Sequence, residues 1–435
     1  MQIMNLSRYY HYFSYLLFIL LYFLNSPSAF SVQPGNSDLD MCERILSLGG
    51  EWGEITTVVI GNPVGARFPH EIPHMLEATL PAGKTLEEII SNPGRPFDPT
   101  LLAHASAEID QVIMELKQLG IQVLQPNINE DFFANPIVQN AFRANSGFYA
   151  AMPRDNLLLL PPNLVVISPM AWRSRYREHE AYQDILRELQ KIGLRVIEAP
   201  RPSLSDNTYV TGWRDQQDGI FRPVIRNEEP LFDAADFLRF GRHIIGQLSH
   251  VTNKKGIQWI RSVLGQEYRL HIIEFADEHP MHVDATLLPL SVGKVLVNPE
   301  RVPKDLRDVL EDTLLHGWEM IEVPRPNEIP RETPLYLTSQ WINMNILVGN
   351  RWAFVEKEDL NMAALLKAHG FEAIPFPFQH FQALGGSFHC STLDLRRSED
   401  IPSDDLTSNE DLHIFFDQKS RTYKTEPLHE FLAEN

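Results

Sequence analysis

Cysteine is scarce in this 435-residue sequence, which contains only Cys42 and Cys390. The two lie near opposite ends of the chain, and there is no Cys-x-x-C or Cys/His cluster. These spacings argue against a structural zinc site and against a disulfide framework. Cys390 nevertheless stands in an unusual stretch, G-G-S-F-H-C-S-T at 385–392, behind two glycines and beside a histidine.

Basic residues are few relative to acidic ones. The chain carries 38 Lys and Arg against 57 Asp and Glu, a formal net charge of −19. This balance disfavours nucleic-acid binding, which requires clusters of Lys and Arg against phosphates. The negative net charge is compatible with an acidic site that attracts a cationic small molecule. It is equally compatible with charge that only keeps the protein in solution.

Long hydrophobic runs are confined to the N-terminus. Residues 13–24 are almost wholly apolar, follow a single arginine, Arg8, and precede small residues at 25–29. The run is typical of a signal-peptide core and is short for a membrane span. We therefore expect an apolar targeting or tether segment at 1–30, a linker at 31–50 and a single α/β domain at 51–435.

One pattern recurs five times: an amphipathic helix, a glycine and a short apolar strand that often ends in proline. The glycines that mark it are Gly120, Gly193, Gly265, Gly317 and Gly370. Glycine suits the left-handed residue that ends a helix, and the β-branched run behind it favours a strand. Five units of about three strands and one helix predict an α/β array closed around a central pocket. The alternative is an ordinary α/β fold, in which helix–glycine–strand is also common.

Acidic and histidine side chains suited to chemistry occur in three stretches, the first of them M-P-R-D-N at 152–156. Asp233 begins a predicted helix in an apolar neighbourhood, where a buried carboxylate needs a partner such as a histidine. Asp236, three positions on, suits a helix cap or the helix dipole. In H-P-M-H-V-D-A-T, His282 and Asp284 share one face if the stretch is extended, although a solvent-facing pair is the simpler interpretation of these two alone.

Cys390 has two interpretations. A lone cysteine is more often a small buried hydrophobe than a nucleophile. The Gly-Gly turn before it, however, lets backbone approach a ligand closely. In an extended segment the adjacent His389 would point away from Cys390, so a nucleophilic thiol would need a distant base, for which His282 is the best candidate.

Taken together, these stretches resemble the glycine amidinotransferase family, which includes inosamine-phosphate and toxin-pathway amidinotransferases. The resemblance runs from residue 52 to about 397 and keeps the family's order. The shared motifs are M-P-R-D (152–155), S-P-M-A-W-R-S-R (168–175), F-D-A-A-D-F-L-R-F-G-R (232–242), V-T-N (251–253), P-M-H-V-D-A-T (280–286), V-N-P-E-R (297–301) and G-G-S-F-H-C (385–390). It implies a fivefold pseudosymmetric α/β propeller of ββαβ modules, the pentein fold.

The resemblance also implies a catalytic set. Cys390 corresponds to the nucleophile that attacks the guanidinium carbon of arginine, His282 to the acid–base and Asp233 to the carboxylate that orients His282. Asp155 and Asp284 correspond to the carboxylates that hold the guanidinium. Flanking carboxylates suit its planar fork of donors, and a nearby protonated histidine favours a thiolate.

The remaining implied residues bind the rest of the substrates. Arg301 corresponds to the clamp on the amino-acid carboxylate, which Ser339 assists. The loop before the catalytic histidine shapes the acceptor site. In it Met281 matches glycine-using enzymes, whereas His279 stands where those enzymes carry asparagine. The expected products are guanidinoacetate and ornithine, formed through a covalent amidino-cysteine in a ping-pong reaction.

Other readings of the function stay open. The acceptor could be another amino acid or an inosamine phosphate, and a hydrolytic relative would let water attack the intermediate and give citrulline. A non-catalytic arginine-binding protein is disfavoured because the thiol and the histidine are both present.

The implied chemistry needs only arginine and an acceptor amine. No cofactor and no metal are expected, and a homodimer is compatible with the family. A nucleophilic thiol suits a reducing compartment such as the cytoplasm. The apolar N-terminal segment leaves secretion, an organelle or a membrane tether through residues 8–29 as alternatives.

Overall fold

The computed structural model describes residues 50–80, 84–133, 137–139, 142–144, 148–160, 163–214, 221–328, 330–332, 334–337, 339–397 and 406–433. The chain divides into two compact units, Met1–Met41 and Cys42–Asn435. The predicted targeting segment, the linker up to residue 49 and Cys42 lie outside the described residues. Within the described part, no helix is long and apolar enough to cross a membrane.

Short strands and helices alternate along the second unit. The strands are β1 (Ile55–Ile60), β2 (Gln122–Leu124), β3 (Ile137–Gln139), β4 (Phe142–Ala144), β5 (Leu157–Leu160), β6 (Leu164–Ile167), β7 (Arg195–Glu198), β8 (Phe237–Phe240), β9 (His243–Gly246), β10 (Arg269–Ile273), β11 (Leu287–Ser291), β12 (Lys294–Val297), β13 (Glu319–Glu322), β14 (Leu347–Val348), β15 (Trp352–Glu356), β16 (Glu372–Phe376), β17 (Thr392–Arg397), β18 (Leu412–Asp417) and β19 (Thr422–Pro427). The α-helices are α1 (Pro73–Thr79), α2 (Lys84–Ser91), α3 (Pro99–Gln118), α4 (Pro153–Asn156), α5 (Gln183–Lys191), α6 (Lys254–Val263), α7 (Lys304–Thr313), α8 (Leu360–Ala368), α9 (Gln379–Gln382) and α10 (Leu428–Ala433).

The sheets repeat one module five times within the described residues. Their strand orders are β17-β1-β2, β5-β6-β7, β8-β9-β10, β11-β12-β13 and β14-β15-β16. In each, the first pair is antiparallel and the third strand is parallel to the middle one. The parallel step needs a crossover, which α3, α5, α6, α7 and α8 provide in turn. The predicted fivefold array of ββαβ modules is therefore confirmed.

Ring closure joins the two ends of this unit. The outer strand of the first module is β17, which comes from near the C-terminus and pairs antiparallel with β1, with Ile60 opposite Thr392. The third module is extended by the hairpin β18–β19, whose first strand is parallel to β10. The pairing of β17 with β1 joins segments that are distant in the chain, and it turns five consecutive modules into a closed array.

Strands near the centre are buried at every position. β5, β6, β8 and β9 show no alternation of exposed and buried residues, because both faces of their sheets are covered. Apolar clusters fill the space between neighbouring modules, one of them joining the fourth and fifth.

Four of the five marker glycines adopt the predicted left-handed backbone. Their φ values are 80° at Gly120, 98° at Gly193, 76° at Gly317 and 86° at Gly370. The prediction is wrong for Gly265, whose φ is not in this region. There the chain takes a longer turn before β10, so a single left-handed residue is not needed to reverse it.

Candidate active site

A cavity of about 690 Å³ collects the residues that the sequence singled out. Eight of the nine predicted site residues line it: Cys390, His282, Asp155, Asp284, Arg301, Ser339, Met281 and His279. The ninth, Asp233, is fully buried behind His282. These residues come from turns between strands of several modules, which is why no single stretch of sequence contains the site.

His282 and Asp233 form the expected pair. Nε2 of His282 lies 3.1 Å from Oδ2 of Asp233. The predicted α-helix does not begin at Asp233, which instead precedes a single turn of 310 helix, Ala234–Asp236, that leads straight into β8. The extended conformation considered for His282 and Asp284 is not found, because Val283–Ala285 is another 310 turn. Both side chains reach the cavity nonetheless.

Asp236 holds the backbone of His282 in an uncommon conformation. His282 has a φ of 58°, a region that costs a non-glycine residue about 1–3 kcal/mol. Its N–H donates to Oδ1 of Asp236 at 2.9 Å. Gln247, Ser249 and Thr252 also donate to Asp236. The prediction of a helix cap at Asp236 is therefore wrong: the carboxylate is fully buried and supports the turn that carries His282.

The surroundings of His282 favour its protonated form. Burial alone would lower the pKa of the imidazole, but the carboxylates of Asp155, Asp233 and Asp236 outweigh burial and raise the pKa to about 9. Nδ1 of His282 lies 3.7 Å from Oδ1 of Asp155. At neutral pH the ring is therefore an imidazolium that can donate a proton.

Cys390 is buried and held by two polar neighbours. Its Sγ donates to Oδ2 of Asp284 at 3.2 Å and accepts from Nδ2 of Asn345 at 3.0 Å. The backbone N–H of Cys390 donates to Oδ1 of the same Asn345. Burial, then the charges of Asp284 and Asp155, raise the pKa of the thiol well above its usual value. Without a cationic ligand, Cys390 is a thiol.

Asn345 is a site residue that the sequence analysis missed. It follows the 310 turn Ile342–Met344 and touches both Cys390 and Asp284. Only its place just before the predicted strand at β14 could have drawn attention to it. His389, by contrast, has its ring nitrogens against Asp284 and Glu51, in agreement with the expectation that it is not the base.

The two glycines before Cys390 have different reasons to be glycine. Gly385 has a φ of 113°, which side chains rarely tolerate. Gly386 has ordinary backbone angles, but a Cβ there would lie 2.6 Å from Cβ of Cys390 and 2.9 Å from Sδ of Met152. The residues from 388 to 391 form a turn rather than the extended segment considered above. Because Gly386 has no Cβ, Cys390 and Met152 can pack closely against it, and this packing holds the thiol at the cavity wall.

Asp155 lines the cavity and has one carboxylate oxygen without a hydrogen-bond partner among the described residues. Its Oδ2 pairs with Nη1 of Arg175 at 2.9 Å, whereas its buried Oδ1 accepts no hydrogen bond among the described residues. Burial raises the pKa of this carboxyl, and the charges of His282 and Arg175 oppose that shift. Arg175 lies in a motif that the sequence analysis quoted without giving it a role.

Arg301 lies at another part of the same cavity. Its Nε donates to Oδ2 of Asp277 at 3.0 Å, and its Nη1 donates to Oγ1 of Thr286 at 3.2 Å. Oγ of Ser339 accepts from the backbone of Trp341. A guanidinium fixed in this way can meet a carboxylate from the cavity side.

His279 and Met281 form part of the wall near this end. Nδ1 of His279 lies 3.1 Å from the carbonyl oxygen of Ala78, so the ring bridges the loop before His282 and the end of α1. Met281 is partly buried and packs against the apolar cluster beneath the cavity.

One group of described side chains has the atom types and spacing for a metal ion. The ligand atoms of Asp155, His282 and Cys390 all lie within 4.8 Å of one another. The three also surround the place where a guanidinium carbon would react, so a metal there would compete with the substrate. The expectation of a metal-free reaction stays a prediction.

Comparison with known proteins points to one family. The chain is 41% identical over 356 residues to the L-arginine:L-lysine amidinotransferase of Pseudomonas savastanoi pv. phaseolicola, a match that covers 81% of this chain and 94% of the relative. It is 32% identical over 367 residues to the mitochondrial glycine amidinotransferase of Xenopus laevis, covering 81% and 83%. No family model matches the sequence.

A solved structure supports the same assignment. SxtG, an amidinotransferase of the saxitoxin biosynthetic pathway from Microseira wollei, superimposes with a TM-score of 0.73 at 38% identity, over 83% of this chain and 99% of that one. Fold and cavity thus define a pentein-type α/β protein with a buried cysteine, histidine and carboxylates. The chain belongs to the amidinotransferase family and is an arginine amidinotransferase.

Proposed function

We propose that this enzyme moves the amidino group of L-arginine to the terminal amine of a second basic amino acid. It acts through a single catalytic domain at 51–435, and L-lysine is the first candidate for the acceptor. Cys390 is the nucleophile, His282 the acid–base and Asp233 the residue that orients His282. The observation that carries the proposal is one cavity that presents carboxylates and a thiol together with a carboxylate-binding guanidinium.

In the first half-reaction the thiol proton of Cys390 passes to solvent as arginine binds, and Sγ attacks the guanidinium carbon as a thiolate. A carbon–sulfur bond forms, the carbon–nitrogen bond to the side chain of arginine breaks, and ornithine leaves with a proton from His282. The free oxygen of Asp155 and the carboxylate of Asp284 suit the donors of the guanidinium. The product on the enzyme is an amidino-cysteine.

Substrate binding itself activates the thiol in this scheme. The empty site keeps Cys390 protonated because burial disfavours a thiolate and because Asp284 and Asp155 repel its negative charge. A bound guanidinium brings a positive charge between these carboxylates and offsets that repulsion, which lowers the thiol pKa. A ring nitrogen of His282 and Sγ of Cys390 lie within 4.8 Å of each other, so the imidazolium also stabilises the thiolate.

The second half-reaction reverses these steps with a new amine. The acceptor enters the space that ornithine has left, His282 takes its proton as nitrogen attacks, and the carbon–sulfur bond breaks. A subsite that holds arginine by its carboxylate at Arg301 and by its side-chain end at Cys390 suits another amino acid of similar length. Lysine meets this condition, and the relative with 41% identity is named for lysine.

Glycine, the acceptor expected from the sequence, is the second candidate. Met281 lines the cavity at the position where it matches glycine-using enzymes, and a 32% identical relative is a glycine amidinotransferase. Glycine would leave most of a cavity of about 690 Å³ to water. That water could attack the amidino-cysteine, which a longer acceptor would prevent by filling the space.

The test is a competition between acceptors. Full-length protein is incubated with arginine and equal concentrations of lysine and glycine, and the products are separated by mass spectrometry. We expect ornithine together with amidinated lysine, in at least tenfold excess over guanidinoacetate. Excess guanidinoacetate would select the second candidate, and citrulline from arginine alone would make the enzyme a hydrolase.

A variant separates the chemistry from the choice of acceptor. Cys390→Ser should form neither ornithine nor the mass adduct of an amidino group on the protein, whichever acceptor is supplied. Ornithine formation by this variant at the wild-type rate would refute the covalent mechanism. The matched control is Ser262→Ala, an exposed hydroxyl on α6 that does not line the cavity, which should leave turnover unchanged.

A further inference from the structure

A second histidine, His389, is held between two carboxylates beneath the cavity. Its Nδ1 lies 2.8 Å from Oδ2 of Asp284, and its Nε2 lies 2.8 Å from Oε2 of Glu51. All three side chains are almost fully buried. Oδ2 of Asp284 is the oxygen that also accepts from Cys390. Glu51 is thus one residue away from the group that faces the reacting thiol.

The contacts fix the hydrogen-bonding partners of the ring. An ionised carboxylate only accepts hydrogen bonds, so the nitrogen of His389 that faces it must donate. Burial acts to raise the pKa of both carboxyl groups, but the contacts of Asp284 with His389 and those of Glu51 with Arg154 and His389 prevail. Both pKa values fall to about 2, so both groups are ionised at neutral pH. His389 therefore bridges two anions.

Glu51 is itself held in place by two arginines. Its Oε2 accepts from Nη1 of Arg154 at 3.0 Å, and its Oε1 accepts from the backbone N–H of Arg239 at 3.2 Å. Both guanidinium groups also pair with Asp394, on β17. The carboxylate under His389 is therefore anchored to several modules at once.

We infer that Glu51 is a positioning residue for catalysis, acting through His389 to keep the carboxylate of Asp284 correctly oriented. Glu51 touches neither substrate nor thiol. It lies outside every motif of the sequence analysis, at the start of the domain. The inference rests on the proposed role of Asp284 as a ligand of the guanidinium. It adds two residues behind Asp284 to the site, first His389 and then Glu51.

The physical consequence falls mainly on arginine binding. Without the carboxylate of Glu51, Nε2 of His389 loses its acceptor, and the orientation of the ring against Asp284 is no longer fixed. The hydrogen bond between Nδ1 of His389 and Asp284 then weakens, while those from Asn345 and Cys390 remain. The oxygen that should grip the guanidinium becomes less fixed, while Cys390 and His282 keep their own contacts.

The experiment compares Glu51→Gln, His389→Asn and the double variant, all in the full-length protein. Each single variant should raise the KM for arginine about tenfold or more, the effect of losing one charged hydrogen bond, with a smaller change in kcat. The double variant should be no worse than His389→Asn, because Glu51 acts through the histidine.

A buried Glu–His pair elsewhere in the protein gives the matched control. Oε1 of Glu108, on α3, lies 2.7 Å from Nδ1 of His380, on α9, and neither residue lines the cavity. Glu108→Gln should lower the melting temperature without changing the KM. This control identifies an effect that is only structural.

The outcomes are distinct. A wild-type KM in Glu51→Gln, or additive losses in the double variant, would overturn the inference. If Glu51→Gln does not fold, His389→Asn carries the test, and an unchanged KM there overturns the inference as well. Failure of the catalytic mechanism would instead appear as full activity in Cys390→Ser.

Discussion

Replacing Asp233 with asparagine should move the alkaline limit of activity to lower pH. The carboxylate lies 3.1 Å from Nε2 of His282 and is completely buried, so it acts on the imidazolium without screening by solvent. Asparagine keeps the size of the side chain and can still accept a hydrogen bond. The substitution therefore removes chiefly the negative charge.

The size of the effect follows from the geometry. A hydrogen bond to a charged group contributes about 1.5–3 kcal/mol, and one pKa unit corresponds to about 1.4 kcal/mol. Loss of the charge at Asp233 should lower the pKa of His282 by about one to two units, from about 9. Asp155 and Asp236 remain nearby and should keep the pKa above the ordinary histidine value.

The assay is the pH dependence of kcat/KM for arginine, measured by ornithine release between pH 6 and 10. In the wild type we expect a fall near pH 9, where the proton donor for ornithine is lost. In Asp233→Asn the fall should begin about one to two units lower. Asp308→Asn, the same chemical change at an exposed site on α7, should leave the limit where it is.

The sign of the stability effect is also fixed. The pKa of His282 is higher in the folded protein than in the unfolded chain, so its contribution is fully present below about pH 6.5 and is lost as pH rises through 9. An alkaline limit that stays near pH 9 in a folded Asp233→Asn protein would refute the pairing as the cause of the raised pKa.

Two further predictions concern the nucleophile. Alkylation of Cys390 by iodoacetamide in the free enzyme should be slow at pH 7 and still accelerate above pH 9, because burial and two carboxylates raise the thiol pKa; a plateau below pH 8 would contradict this. Gly386→Ala should reduce kcat/KM by at least a hundredfold, because the new Cβ would lie 2.6 Å from Cβ of Cys390. The control Gly370→Ala meets no atom within 4 Å, so it should keep full activity and lose only about 1 kcal/mol of stability from its φ of 86°.

Local sequence patterns were sufficient to predict the repeated ββαβ module. Helix, glycine and apolar strand recur five times, and propensity acts on neighbouring residues, so each unit is encoded where it stands. The family motifs, with Cys390, His282 and Asp155 in them, are also local. The prediction of a left-handed glycine is wrong only at Gly265, where a longer connection makes that conformation unnecessary.

Contacts between distant segments were decided by the tertiary structure alone. Asp236 resembled a helix cap in sequence, and only folding brings the N–H of His282 to it. Asn345 carries no local signal, yet it binds Cys390 from another module. Glu51 and His389 are separated by almost the entire domain and meet because β17 closes the ring against β1. Sequence determined which groups gather at the cavity, whereas ring closure determined which buried charges hold them, because long-range electrostatic partners leave no periodic pattern along the chain.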